Sequence, residues 1–134
     1  SFSDFVINSL RDGKSIDLFD DVYYTPILID ELVHLAHALL EKNAVGVYNV
    51  CGNERITKLE FGQKLAIKFG LNLDLIKGMG FSNKVGLIER PNDMSLSNQK
   101  LQMKLGESVD SLESQLTRLF DQESSGLNKK IIDL

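Results

Sequence analysis

VGVYNVCGNERITKLEF, residues 45–61, contains the change from strand to helix that decides how this chain folds. Its first part, VGVYNV (45–50), is rich in β-branched and aromatic residues and predicts a buried strand. Thr57 and Glu60 then form a T-x-x-E capping box, in which each side chain accepts a hydrogen bond from the backbone of the other residue at the start of a helix. A strand followed by a capped helix predicts an α/β fold.

Helical and strand patterns alternate on both sides of this stretch. Apolar residues at helical spacing predict further helices, which fall near residues 2–10, 25–43, 97–105 and 109–119. Short alternating or β-branched runs predict two more strands, in residues 15–19 and 73–77. We therefore predict an α/β, helix-rich single domain with a few short strands. It covers residues 1–120, and we expect residues 121–134 to be a frayed tail.

The helix within TPILIDELVHLAHALLEKN (25–43) has the clearest amphipathic pattern. Five leucines form a stripe that should face the core: Leu28, Leu32, Leu35, Leu39 and Leu40. Four polar residues lie opposite: Asp30, His34, His37 and Glu41. Their spacing could present two imidazoles and two carboxylates to a metal. Their position opposite the leucines instead predicts a solvated face, so we expect no metal site.

Composition places the chain among ordinary soluble globular proteins, with 43% hydrophobic and 25% charged residues. A net charge of -4 argues against a nucleic-acid surface. No apolar run approaches the roughly 20 residues that span a bilayer, so no membrane partner is expected. The single cysteine, Cys51, cannot form an internal disulfide, which favours a reducing compartment. We expect a cytoplasmic protein and, since its first helix begins at once without an initiator Met, a fragment of a longer one.

The segment ERPNDMSLSNQK (89–100) supplies the candidate binding residues. Pro91 holds Arg90 in an extended conformation, and a planar guanidinium suits a bidentate grip on phosphate. An exposed salt bridge explains Arg90 equally well. Ser97 and Lys100 match the S-x-x-K pattern of serine acyl-transfer enzymes. A serine that caps a helix explains the same residues, and we favour this interpretation because no companion motif follows.

Two further features have both a structural and a functional interpretation. Tyr23 and Tyr24, in DDVYYTP (20–26), are either packing aromatics at a strand end or ligand-stacking groups. The glycine-rich stretch GMGFSNKVG (78–86) lacks the spacing of a phosphate-binding loop and is a candidate lid.

Three segments taken in order resemble the substrate-binding portion of a known enzyme family. They are DDVYYTPILIDEL (20–32), GVYNVCGNERITKLEF (46–61) and RPNDMSLSNQKLQMKLG (90–106). Together they resemble the C-terminal part of extended short-chain dehydrogenase/reductases that act on nucleotide sugars, most closely the dTDP-4-dehydrorhamnose reductase group. The resemblance implies the substrate-binding lobe of an NAD(P)-binding Rossmann-type enzyme whose Rossmann half is absent from this chain.

The residues that perform the family's chemistry have no counterpart here. Tyr23, Tyr24 and Tyr48 are not followed by a lysine four residues later, so the family's Tyr-x-x-x-Lys pair is missing. The glycine-rich dinucleotide loop is missing as well. We therefore expect no catalytic, cofactor-binding or metal-binding residue in this chain. The resemblance implies NAD or NADP for the parent enzyme, and the missing N-terminal Rossmann domain and a nucleotide-diphosphate sugar as partners.

The resemblance also implies five substrate-binding residues. Arg90 matches the arginine that contacts the nucleotide diphosphate in related enzymes, and Asp93 would orient that arginine or cap the turn. Tyr23, Tyr24 and Thr25 would lie near the sugar.

The sequence leaves three functions open. The chain is expected to be the nucleotide-sugar-binding domain of a sugar-nucleotide reductase, inactive alone. The Arg-Pro-Asn-Asp stretch also looks like that of the neighbouring epimerase/dehydratase branch, whose substrate domain is one alternative. The other alternative is a non-enzymatic interaction module that self-associates through an apolar patch.

Overall fold

The structure of the chain is a computed structural model that describes residues 1–81 and 91–126. Helices dominate these residues, with bounds of Phe2–Arg11 (α1), Ile29–Glu41 (α2), Lys58–Phe69 (α3), Gln99–Leu105 (α4) and Leu112–Ser124 (α5). The strands are short and comprise Ile16–Phe19 (β1), Tyr23–Tyr24 (β2), Ile56–Thr57 (β3) and Ile76–Met79 (β4). The predicted helix-rich α/β class is confirmed. Among the described helices, none combines the length and apolar character needed to cross a bilayer.

The chain divides into two compact units that each use two separate stretches of sequence. The first unit comprises Ser1–Tyr24 and Arg55–Ser95, and the second comprises Thr25–Glu54 and Leu96–Leu134. In the first unit, β1 and β4 form a parallel pair. A second, antiparallel pair forms between β2 and β3, in which Tyr23 lies opposite Thr57.

The capping box predicted for α3 is present with both of its hydrogen bonds. The Glu60 amide donates to Thr57 Oγ1 over 3.1 Å, and the Thr57 amide donates to Glu60 Oε2 over 2.7 Å. Gly70 ends the helix in the left-handed conformation, as expected of a C-terminal glycine. Gly62, buried within α3, faces Leu18 so closely that a Cβ would overlap the Leu18 side chain. This glycine lets α3 pack directly on β1.

The core of the second unit joins α2 to α4 through aliphatic side chains. Leu35, Leu101, Leu105 and Val109 form a buried cluster. Partly buried side chains cover it, among them Ile27, Tyr48 and Val50. Leu101 has no solvent-exposed surface, so α4 is anchored by apolar contact on its inner face.

The prediction of a buried strand at residues 45–50 is wrong. Val45 and Val47 are 89% and 82% exposed, and within the described part of the chain the segment pairs with no strand. Side chains bind its backbone instead, since Lys100 Nζ donates to the Val47 carbonyl over 2.8 Å. Asn49 in turn donates its side-chain amide to the Ser97 carbonyl over 3.1 Å. The β-branched composition predicted strand pairing, but in the described residues these long-range hydrogen bonds hold the segment instead.

The leucine stripe of α2 is also narrower than predicted. Leu35 is 2% exposed, whereas Leu40 is 74% exposed. The inner face includes Glu31, which lies one turn before Leu35 and is 5% exposed. Glu31 is tolerated there because its carboxylate accepts hydrogen bonds from Arg118 and from the Asp110 amide. A buried carboxylate, paired with a partly exposed arginine, therefore occupies a position that hydropathy alone assigns to solvent.

The remaining differences concern where elements begin and end. The strand predicted at residues 73–77 begins as a 3-10 turn, Leu73–Leu75, and becomes β4 at Ile76. The N-cap of α4 is Asn98 rather than Ser97. Helix α5 continues to Ser124, into the segment predicted to be a tail, and residues 127–134 lie outside the described ranges.

Candidate functional site

The segment 92–94 lies alongside β2 in the first unit, and this pairing builds the candidate site. The Tyr23 amide donates to the Asn92 carbonyl over 2.7 Å, and the Met94 amide donates to the Tyr23 carbonyl over 2.9 Å. These two bonds place Asp93 beside Tyr23 in a parallel bridge. Tyr23 and Asp93, which were predicted from distant segments of the sequence to bind substrate, are thus neighbours.

Arg55 joins this pair from the position just before β3, although the sequence had not indicated it. Its Nε and Nη2 atoms both donate to Asp93 Oδ2, over 3.0 and 2.9 Å. The guanidinium carbon also lies 3.6 Å from the centre of the Tyr23 ring, within cation–π distance. The side chains of Arg55 and Asp93 are 48% and 50% exposed, so the cluster Tyr23–Arg55–Asp93 is accessible to a ligand.

Asp93 is fixed from its other side by the turn that follows it. The backbone amide and the hydroxyl of Ser95 donate to Asp93 Oδ1, over 3.0 and 2.6 Å. These Ser95 hydrogen bonds, together with the one from Arg55, lower the pKa of Asp93 to about 2. Asp93 therefore stays ionised through the physiological pH range and keeps its hold on Arg55.

Tyr24 points to the opposite face of β2, as successive residues of a strand do. Its ring meets Phe61 edge to face, with the ring centres 5.9 Å apart. Lys58 Nζ lies 3.5 Å from the centre of the Tyr24 ring and 4.5 Å from that of Phe2. Burial lowers the pKa of Lys58 and raises that of Tyr24. Within the described ranges the buried Tyr24 hydroxyl has no hydrogen-bond partner, which favours a packing role for this ring.

The structure describes Thr25 but not Arg90. Thr25 belongs to the second unit, where its Oγ1 accepts a hydrogen bond from the Leu96 amide over 3.2 Å. Arg90 lies outside the described residues, as does most of the candidate lid at 78–86.

Sequence reasoning missed Arg55 because nothing in its immediate surroundings distinguishes it. It lies between Glu54 and Ile56, just before the capping box, where a charged side chain is ordinary surface. Its importance depends on the pairing of β2 with β3 and with residues 92–94, which brings three distant segments together.

The S-x-x-K pattern is accounted for by local structure. Lys100 Nζ donates to the Val47 carbonyl and lies 4.4 Å from the centre of the Tyr48 ring. Ser97 Oγ accepts a hydrogen bond from the Gln99 amide over 3.4 Å. Both side chains serve the fold near the start of α4, although the N-cap is Asn98 and not Ser97 as predicted.

A cavity of about 260 Å³ in the second unit is lined from α2 by Glu31, His34 and Leu35. Its charged and imidazole lining consists of Glu31, His34, Glu107, Asp110 and Arg118. Arg118 Nη2 lies 2.7 Å from Glu31 Oε2 and 3.4 Å from Asp110 Oδ2. In the part of the chain that the structure describes, no group of three or more His, Cys, Asp or Glu residues has the geometry of a metal site. The charges of this cavity are largely used in pairing within the fold.

Comparison with known families gives a match over nearly the whole chain. Residues 1–125 match the family described as the RmlD substrate binding domain. A curated relative, a probable low-salt glycan biosynthesis reductase of Haloferax volcanii, is 25% identical over 118 residues. That alignment covers 88% of this chain and 39% of the relative.

Solved structures with the same fold include two dTDP-4-dehydrorhamnose reductases. The enzyme from Bacillus anthracis, solved in complex with NADP, gives a TM-score of 0.83 at 17% identity, covering 91% of this chain and 43% of its own. The ortholog from Clostridium acetobutylicum gives 0.84 at 14% identity, with 92% and 44% covered. At these identities the likeness shows the fold. The chain spans about two fifths of the length of these relatives.

Proposed function

The chain belongs to the family of RmlD substrate binding domains, and on that basis we propose that it binds a nucleoside-diphosphate sugar for an NAD(P)-dependent sugar-nucleotide reductase. The parent reaction would reduce a keto sugar nucleotide, as the names of the similar enzymes imply for those proteins. This chain would hold the substrate, while the rest of a full-length reductase would supply hydride transfer.

One observation carries the proposal beyond family membership. The pairing of residues 92–94 with β2 brings Tyr23 and Asp93 together and adds the guanidinium of Arg55. The cluster combines an aromatic face, a cation and a fixed carboxylate on a half-exposed surface. Such a combination suits a ligand that has both an anionic part and hydroxyl groups.

Five residues make up the substrate site in this proposal. Arg90 would contact the diphosphate, and Asp93 and Tyr23 would form the adjoining face. Tyr24 would support that face from the other side of β2, and Thr25 would lie near the sugar. Support is strongest for Tyr23 and Asp93, because the structure holds them next to each other and next to a cation.

The residues of this chain do not fit a nicotinamide cofactor. The sequence contains neither a G-x-G-x-x-G loop nor a tyrosine with a lysine four residues later. NAD(P)H would supply the hydride from the other part of the parent enzyme, and no step of that transfer is assigned to residues here. We therefore expect the chain alone to have no reductase activity.

Calorimetric titration of the 134-residue chain with dTDP-glucose tests the proposal. We expect weak, saturable binding, since the chain spans about two fifths of its relatives. Arg90→Ala should weaken it, whereas Lys64→Ala, which removes an exposed charge from α3, should not. Saturable binding that survives Arg90→Ala would remove Arg90 from the site. Absence of any saturable binding by the unmodified chain would contradict the function itself.

A second candidate function, a non-enzymatic interaction module, is favoured by an apolar stripe on α2. Ile29, Val33 and Leu40 lie on one face of this helix and are 68%, 58% and 74% exposed. Sedimentation velocity over a wide concentration range would show self-association that Val33→Glu abolishes. A monomer at all concentrations would weigh against this second function.

A further inference from the structure

Arg55 retains hydrogen-bonding capacity that its partner Asp93 does not use. A guanidinium offers five N–H donors in a planar fork. The two bonds to Asp93 engage Nε and Nη2, and both end on the same oxygen, Oδ2. The Nη1 amino group is left on the far side of the fork from Asp93. The Arg55 side chain as a whole is 48% exposed, so the edge turned away from Asp93 is the one on which a ligand would bind.

The surroundings of Arg55 hold its fork in one orientation. The Tyr23 ring lies against one face of the guanidinium at 3.6 Å, and Asp93 fixes one edge. Asp93 is itself held by two hydrogen bonds from Ser95. Tyr23 is held by the backbone bonds that join it to residues 92–94. An arginine restrained on a face and an edge loses little further freedom when it binds a ligand, which favours affinity.

The ordinary explanation is a surface ion pair that ties residues 92–94 to β3. Exposed ion pairs of this kind contribute little to stability. Here the guanidinium of Arg55 stacks on the Tyr23 ring and donates to Asp93. Asp93 is in turn held in place by Ser95. That arrangement resembles the support of a binding group more than an isolated pair.

We propose that Arg55 contacts a phosphate of the nucleoside diphosphate through Nη1, with Tyr23 and Asp93 as the residues that position it. This inference rests on the proposed function, and it identifies the diphosphate as the part of the ligand that the cluster binds. A planar, outward-facing guanidinium matches both carboxylate and phosphate groups. Phosphate is the one that fits here, because a nucleoside diphosphate is common to the substrates named for the similar enzymes.

Parallel titrations with dTDP and with thymidine test the assignment, because the two ligands differ only in the diphosphate. Binding to the 134-residue chain is followed by ¹H–¹⁵N NMR, which detects weak association. Arg55→Gln should weaken dTDP binding by about tenfold or more, as expected for a lost charge-assisted hydrogen bond. Thymidine binding should be unchanged. Lys64→Gln, an exposed charge removed from α3, should leave both affinities unaltered.

The outcomes separate this inference from the function on which it rests. If the unmodified chain binds dTDP and Arg55→Gln binds it equally well, the Arg55 assignment is overturned and the proposed function stands. If the unmodified chain binds neither dTDP nor a dTDP sugar, both are overturned. If Arg55→Gln fails to fold, Arg55→Lys serves instead, since it keeps the charge and loses the fork. Loss of dTDP binding relative to thymidine in this variant is expected, and unchanged selectivity would overturn the assignment.

A double-mutant cycle tests whether Asp93 acts through Arg55. Asp93→Asn alone should weaken dTDP binding and leave thymidine binding unchanged, because the fork loses its fixed edge. Added to Arg55→Gln, the same change should have little further effect. If Asp93→Asn weakens dTDP binding equally in both backgrounds, Asp93 does not position Arg55 and that part of the proposal is wrong.

Discussion

The guanidinium carbon of Arg55 lies 3.6 Å from the centre of the Tyr23 ring. Tyr23 was predicted from the sequence to bind substrate, whereas Arg55 was not. Asp93 closes the cluster by accepting two hydrogen bonds from the same guanidinium. The contact joins β2, β3 and the segment that follows Arg90 into one half-exposed surface.

The first prediction concerns the ring of Tyr23. Tyr23→Leu should weaken dTDP binding and cost about 0.5–1 kcal/mol of stability, the usual worth of an exposed cation–π contact. Tyr23→Phe keeps the ring and should stay close to the original chain in both respects. Urea unfolding and NMR titration measure the two effects. Equal losses in both variants would show that the hydroxyl, and not the stacked ring, matters.

Tyr24→Phe should stabilise the chain. The Tyr24 hydroxyl is buried and, among residues 1–81 and 91–126, lacks a hydrogen-bond partner. Removing an unsatisfied buried polar group recovers about 1 kcal/mol of its desolvation cost. Urea unfolding should therefore show a higher midpoint with an unchanged slope. A clear loss of stability would mean that the hydroxyl has a partner after all.

The stability of the second unit should depend on pH through the ionisation of Glu31. Burial opposes the charge of Glu31, but hydrogen bonds from Arg118 and the Asp110 amide outweigh it, so its pKa lies below the ordinary value of 4.5. A depressed pKa in the folded state means that the stabilisation is complete above pH 4.5 and is lost as the pH falls through the lower, folded value. His34 lowers the pKa further through its charge when protonated.

Glu31→Gln tests this dependence by urea unfolding at pH 7 and below pH 4.5. At pH 7 the variant should be less stable by about 1.5–3 kcal/mol, the usual worth of a hydrogen bond to a charged group. It should also lose less stability on acidification than the original chain. His37→Gln is a suitable control, because the side chains of His37 and its partner Glu41 are 69% and 70% exposed. Equal acid sensitivity of Glu31→Gln and the original chain would contradict the role of Glu31.

Removing the capping box at the start of α3 should measurably lower the stability of the chain. Thr57→Ala removes the acceptor for the Glu60 amide and should destabilise the chain by about 1 kcal/mol. Thr57→Ser keeps the oxygen and should recover most of the loss. Ser111→Ala, at the N-cap of α5, gives a reference value for a cap without a reciprocal partner. A Thr57→Ala cost no larger than that of an ordinary surface change would mean that the box contributes little.

The sequence predicted most of the helices because their signals are local. Thr57 and Glu60 define a helix start within four residues, and apolar spacing identified α1, α2 and α5. Residues 45–50 show where local signals fail. Their β-branched composition predicts a strand, yet the Val47 carbonyl accepts a hydrogen bond from the Lys100 side chain and the Asn49 side chain donates to the Ser97 carbonyl, both far along the chain.

The candidate site was predictable only in part, for the same reason. Tyr23 and Asp93 were nominated from their segments, but their contact depends on a bridge between β2 and residues 92–94. Arg55 could be recognised only from the structure, which brings β2, β3 and residues 92–94 together. Glu31 was concealed in a similar way, because a buried carboxylate can be anticipated only once its partner Arg118 is known.

Mapping a dTDP-glucose titration by ¹H–¹⁵N NMR tests the central claim most directly, because it asks where on this chain a nucleotide sugar binds. Saturable shifts at Tyr23, Arg55 and residues 92–94 are the predicted result. No saturable shift, or shifts confined to the cavity around Glu31 and Arg118, would contradict the account.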